Sequence, residues 1–206
     1  MPKVLDETRV HLDVGRARFV VPELVLRWWW PLWRWLLAWL DCHFHWWRRL
    51  SFTMQAQLQS QWCWSANATS ISHYYDSASA WTQCTVVNAE MGQTTCCVDG
   101  STSQCNQPWY LVKALTRTGN LASWAGGTAT FAQVQSQILD GRPVGARIGW
   151  SNGGGHFVMI AGYRCDSVAY FDIRDPIYGS SDVPVTTFTT SYRGSGSWTH
   201  TYYTEA

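Results

Sequence analysis

The chain has 206 residues, 46% of them hydrophobic and 14% charged, which allows one sizeable core with a small appendage and excludes a disordered protein. A formal net charge of +1 gives no electrostatic reason to expect a nucleic-acid partner. The first fifty residues hold eight of the 15 Lys and Arg and eight of the 15 Trp, so the chain reads as two unlike pieces, residues 1–50 and 51–206.

In the first piece, "RVHLDVGRARFVV" alternates faintly and suggests a short strand. In the run "LVLRWWWPLWRWLLAWLDCHFHWWRRL", residues 24–50, the densest apolar part, Trp28 to Leu40, is broken by Pro31 and Arg34 and is too short and punctuated for a spanning helix. No small-residue cleavage site follows it, as a signal peptide requires. Three readings stand for it: a pro-region or upstream extension, an element lying in a membrane interface where Trp and Arg are both at home, or a docked helix pair.

From Ser51 the composition turns to Gln, Ser, Thr, Gly and aromatic residues. "CWSANATSISHYY" spaces Trp64, Ala68, Ile71 and Tyr75 for one apolar helical face. Asn67 opens a glycosylation sequon, but a position inside this helix argues against its use. A second helix is expected in "WTQCTVVNAEM". It is followed by a cysteine-rich loop in which Cys84, Cys96, Cys97 and Cys105 suggest a local disulfide framework. Zinc is the competing reading, but the spacing lacks the paired C-x2-C knuckles zinc prefers. Adjacent Cys96 and Cys97 are poorly placed to bond each other, so Cys84 and Cys105 should each take one of them. Cys42, Cys63 and Cys165 are then left over, and any two could bridge.

Pro108 can start a third helix that Gly119 closes. "TFAQVQSQILDG" repeats the helical pattern, with Thr130 as N-cap and Gly141 as terminator. Beyond Gly141 the period becomes two, in "PVGARIGW", "HFVMIAGY", "VAYFDIRDP", "VPVTTFTTSY" and "SGSWTHTYYT". Helices first and strands last describe an α+β domain with an antiparallel sheet.

Three residues of this second piece have complementary chemistry. Cys63 opens the first helix, and a helix N-terminus favours an anionic sulfur. His156 leaves the glycine-rich turn "SNGGG" at the first position of an apolar strand. If the following hairpin closes on "RCDS" with Tyr163 opposite Val168, His156 falls directly opposite Asp175, and a carboxylate there can orient an imidazole. Nucleophile, base and orienter are thereby all present.

"QLQSQWCW", "GGGHFVMIAGY" and "FDIRDP", in that order, resemble the bacterial papain-like cysteine peptidases, and most closely small secreted members with W-C-W at the nucleophile. The resemblance covers roughly residues 52–206. It implies a helical left half carrying Cys63 and an antiparallel β right half carrying His156, with Asp175 as third member of the triad. It further implies that Gln57, or failing it Gln59, completes an oxyanion hole with the Cys63 N–H. The papain signature C-G-[SA]-C-[WY] is absent.

The function implied is a thiol-dependent endopeptidase, secreted or extracytoplasmic, acting as a monomer on protein or peptide substrates without metal or organic cofactor. A leader-peptide processor acting after a double glycine is a variant of this reading. A transglutaminase-like acyl transferase would use the same residue types. A non-catalytic membrane- or surface-binding protein on a peptidase fold is the alternative the Trp-rich head suggests.

Overall fold

A computed structural model describes the backbone of residues 9–14 and 17–22 and the whole of residues 47–206. Where the sequence suggested one short strand, β1 (Arg9–Val14) and β2 (Ala17–Pro22) pair antiparallel as a hairpin. The readings of residues 24–46, with Cys42, His43 and His45, lie outside the described residues.

The next strand, β3 (Trp47–Arg49), falls in the last residues assigned above to the N-terminal piece. It belongs to the main sheet, pairing with the C-terminal half of the strand that follows His156. Leu50 extends the contact, its N–H donating to Ala161 O at 2.8 Å. Arg49 reaches Asp182 at 2.5 Å and Asp172 at 3.4 Å. A chain that begins at Leu50 therefore loses a strand together with its ladder. These arginine contacts are half-exposed and contribute little by themselves, so most of the loss comes from the ladder. We expect the chain starting at Leu50 to be less stable than one starting at Trp47 by about 1–2 kcal/mol, a Tm lower by roughly 2–8 °C. Thermal melts of the two chains side by side would check this, and coincident curves would contradict it.

Three helices follow: α1 (Cys63–Tyr75), α2 (Gln83–Met91) and α3 (Leu111–Thr118). Two of them begin or end for a local reason. Thr82 caps α2 in a reciprocal box with Thr85. Gly119 closes α3 at φ +80°, as its sequence position suggested. Between α2 and α3 the cysteine loop is closed by Cys84–Cys97 and Cys96–Cys105. The remainder comprises β4 (Leu121–Gly126), α4 (Phe131–Leu139), β5 (Val144–Trp150), β6 (Gly155–Cys165), β7 (Ala169–Asp175), β8 (Gly179–Pro184), α5 (Val185–Ser191) and β9 (Gly196–Thr204). The large sheet runs β4-β9-β5-β6-β7-β8, antiparallel throughout, with β3 added against β6.

The architecture is the α+β one expected, with two corrections. β4 was not anticipated. "VPVTTFTTSY" is not one strand: Gly179–Pro184 pairs with β7, and Val185–Ser191 then turns helical. Its run of β-branched residues reads as strand by propensity. Here Thr189 and Thr190 instead donate back to the carbonyls of Val185 and Thr186, at 2.7 and 2.9 Å, and Phe188 is fully buried as the helix's apolar anchor.

β6 organises both cores. Phe157, Met159 and Ala161 join Trp62, Trp64, Ile71 and Leu115 of the helical half. Val158, Ile160 and Tyr163 join Val134, Ile148 and Phe171 on the other side. The period of two thus divides one strand between two cores, which is why "HFVMIAGY" reads as a continuous apolar run. A bulge between Ile160 and Gly162 resets the alternation. Gly162 is required there, because a Cβ would lie 2.5 Å from Arg48 O of β3.

Candidate active site

Both tryptophans of W-C-W are fully buried, and both indoles bond to the end of the cysteine loop. Trp62 Nε1 donates to Cys105 O at 2.9 Å and Trp64 Nε1 to Gln107 O at 3.0 Å. Gly100 lets the loop close over Trp62, since a Cβ at that position would come within 2.6 Å of the indole. The residues flanking Cys63 are therefore fastened to a segment that the Cys96–Cys105 disulfide holds shut. Cys63 itself is the free thiol among the described residues. Cys165 is disulfide-bonded, so it does not engage Cys63. Cys63 is buried but keeps 9% of its surface open, against none for Trp64.

Cys63 is the first residue of α1. Trp62 supplies no side-chain cap and the first turn holds no acid, so the positive helix end and its unpaired N–H groups face the sulfur uncompensated. Asn67, one turn on, donates from Nδ2 both to Cys63 O at 2.7 Å and to Phe157 O at 2.9 Å. It ties the Cys63 turn to the residue after His156. Burial and these two bonds also take the Asn67 amide out of reach of modification in the folded chain.

His156 Nε2 meets Asp175 Oδ1 at 2.9 Å, and both residues are buried. Cys63 lies close enough to His156 to help raise the imidazole. Asp175 occupies Nε2, so Nδ1 is the nitrogen left for the sulfur. The hairpin register differs from that inferred from turn length. Cys165 pairs with Ala169 and Met159 with Arg174, so the continued register sets Val158 opposite Asp175 and leaves His156 two residues away on the diagonal. A slip of two preserves the face, and diagonal neighbours on one face remain within reach of long side chains. The side chains thus meet although their backbones are not paired.

Asp175 is held by four donors. Oδ1 accepts from His156 and from the N–H groups of Ile177 at 2.7 Å and Tyr178 at 3.0 Å. Oδ2 accepts from the Tyr192 hydroxyl at 2.8 Å. Burial alone would raise this carboxyl, but the bonds and charge of His156, with the Tyr178 and Ile177 amides, hold it below its ordinary 3.8. Burial likewise lowers His156, but Asp175 and Cys63 outweigh it and raise the imidazole from 6.5 to about 9. Burial, reinforced by Asp175, keeps the Tyr192 phenol well above its ordinary range and therefore a neutral donor.

Aromatic rings frame the imidazole. Trp150 stacks on it at 6.2 Å and 18°, and Tyr178 meets it edge-on at 6.3 Å and 76°. Gly196 makes room for Trp150, because a Cβ there would lie 2.7 Å from the indole. Asn67, Trp150, Tyr178 and Tyr192 were not singled out as site residues from sequence. Only Asn67, one helical turn after Cys63, carried a positional signal.

Gln57 lies beside this cluster, its N–H donating to Pro176 O at 3.0 Å. Its Nε2 donates to Gln59 O at 2.8 Å and Ser60 O at 2.9 Å, and its Oε1 is buried without a partner. Gln59 contributes only its carbonyl to the turn. The remaining histidines of residues 47–206 are engaged elsewhere: His73 bonds Trp81 O at 2.8 Å, and His200 stacks on Trp124 at 6.2 Å.

A family model described as "Peptidase_C39 like family" matches residues 49–202. Among solved structures, a double glycine motif protease from an AMS/PCAT transporter, in complex with the leader peptide, is similar with TM-score 0.42 and 18% identity. That match covers 77% of this chain and 95% of the other. Among curated proteins none matches the chain.

Proposed function

The chain belongs to the Peptidase_C39 like family, a group of papain-like cysteine peptidases, and on that premise we propose that it hydrolyses peptide bonds through Cys63, His156 and Asp175. One observation carries the reading: a single buried imidazole bonds Asp175 through Nε2 and has Cys63 near enough to help raise it. The Cys63 sulfur attacks the scissile carbonyl carbon, and the carbon–oxygen π pair moves onto oxygen. The Cys63 N–H, which has no intrahelical acceptor, donates to that oxyanion. Gln57 supplies the second donor by turning Nε2 away from the Gln59 and Ser60 carbonyls. Collapse breaks the C–N bond, the imidazolium proton passes to the leaving amine, and a thioester remains on Cys63. Water then attacks the thioester carbon and gives a proton to His156; the C–S bond breaks, releasing the acid and returning the Cys63 sulfur as thiolate.

Asp175 keeps the imidazole turned with Nδ1 to sulfur. Tyr192 and Asn67 are positioning residues, the first acting through Asp175 and the second through the Cys63 turn. Two disulfides beside a free thiol favour an extracytoplasmic place of action. Hydrolysis of an unfolded protein by the intact chain, absent when Cys63 is replaced by alanine, tests the reading. An added primary amine that diverted the product into an amide would point to acyl transfer instead.

A further inference from the structure

Three turns meet at the sheet end that carries His156: residues 151–154, 176–178 and 192–195. The last is tied to β5 through Ser151 N–H to Ser195 O at 3.1 Å, and through the pairing of Trp150 with Gly196. At its tip, Arg193 has φ +51°, the one non-glycine residue with positive φ among those described. A long side chain held in this region is conformationally costly, and such residues concentrate at functional sites.

The exposed Arg193 has a defined seat. Its guanidinium lies over the Tyr178 ring at 4.6 Å and near the Tyr192 ring at 5.6 Å. Tyr178 is the ring that meets His156 edge-on, and Tyr192 is the donor to Asp175. No carboxylate among the described residues lies within ion-pair distance of Arg193. Arg49, Arg117, Arg142, Arg164 and Arg174 each have such a partner. A guanidinium over an aromatic face keeps its charge and its planar fork of N–H donors, the geometry that matches a carboxylate.

We propose that Arg193, seated on Tyr178, forms a carboxylate-binding subsite on the leaving-group side of the nucleophile, and that the chain favours substrates with an acidic residue shortly after the scissile bond. The inference rests on the peptidase reading for its direction. His156 gives its proton to the departing amine, so the amine half of the substrate lies on the imidazole side and crosses Tyr178 toward Arg193. An acidic side chain, or the terminal carboxylate of a short substrate, would complete an ion pair that the protein leaves open.

Two measurements test this separately from the catalytic reading. The first is binding of two otherwise identical peptides, one with Glu and one with Gln in the residues after the scissile position, to the full chain carrying Cys63→Ala. The Glu peptide should bind about tenfold more tightly at low salt, with the gap closing as ionic strength rises. Arg193→Gln should remove the gap and leave the Gln peptide unaffected. The second is turnover by the chain with Cys63 intact. There Arg193→Gln should lower kcat/KM for the Glu peptide alone, and Arg193→Glu should transfer the preference to a Lys peptide. Equal binding of both peptides, or an equal loss for both on Arg193→Gln, would overturn the subsite and leave Arg193 a purely structural support of the turn. A binding preference that persists without any turnover would strike at the peptidase reading and not at the subsite.

Discussion

Replacing Cys63 by alanine is expected to lower peptide hydrolysis by at least about 10⁴-fold while leaving the fold intact, because one atom supplies the covalent step and nothing nearby can substitute for it. Cys165 is disulfide-bonded, as are all four cysteines of the loop, so no second described thiol can take over. The fold should survive, since the helix entry is held by Trp62 and Trp64 on the loop and by Asn67 on β6, none of which uses the sulfur. Losing the contact between sulfur and His156 should also withdraw one of the influences that raise the imidazole. Circular dichroism and thermal melting of the variant beside the native chain separate loss of chemistry from loss of structure. Activity above a few per cent of native would move the nucleophile elsewhere.

The second large effect concerns Asp175. Its removal to alanine leaves four donors without their acceptor, three of them on or beside the loop that frames the imidazole. It also frees His156 to turn away from Cys63. A loss of about 10²–10³-fold in kcat/KM is expected, with marked destabilisation from the unpaired buried groups. Asp175→Asn separates charge from geometry, because it keeps an acceptor for His156 but not the negative charge. Since the Asp175 carboxylate helps raise His156 to about 9, the alkaline limb of kcat/KM should lie near 9 in the native chain and move to lower pH in the Asn variant. An unmoved limb would mean that the group titrating there is not His156.

Stability should follow the same pair. His156 is raised above its unfolded value of 6.5, so its contribution is complete below that pH and is lost as pH rises through about 9. Asp175 is lowered from 3.8, so its contribution is present above that value and is lost as pH falls through the folded one. The pair's contribution is therefore complete between roughly pH 4 and pH 6.5 and fades as pH rises from there through about 9.

How much of this was legible in the sequence differs from element to element. Thr130 and Gly119 announced their helix ends because capping is local chemistry. The helix opening at Cys63 has no side-chain cap and was readable instead through the apolar spacing of Trp64, Ala68 and Ile71. The His156–Asp175 juxtaposition was reached through the wrong register. Turn length did not reveal that Cys165 pairs with Ala169 or that Ala161 bulges, but the alternation of faces carried the inference across a slip of two. Val185–Ser191 misled because β-branched propensity is weak beside a single well-placed anchor such as Phe188. Tyr192 was invisible because it reaches Asp175 by way of a turn whose course depends on β5 and β9 together. The service of Trp62 and Trp64 depends likewise on a loop more than forty residues away.

The central claim, that Cys63 is an activated nucleophile paired with His156, is tested most directly by mapping alkylation on the native, unreduced chain. The chain is treated with a limiting amount of iodoacetamide or an epoxide thiol reagent at pH 6 and digested without reduction, and each peptide is weighed. We predict a single modification, on Cys63, faster than that of a free thiol in unfolded peptide at the same pH and slowed by Asp175→Ala. Label on Cys63 no faster than on the unfolded peptide, or the same rate with and without Asp175, would contradict the account.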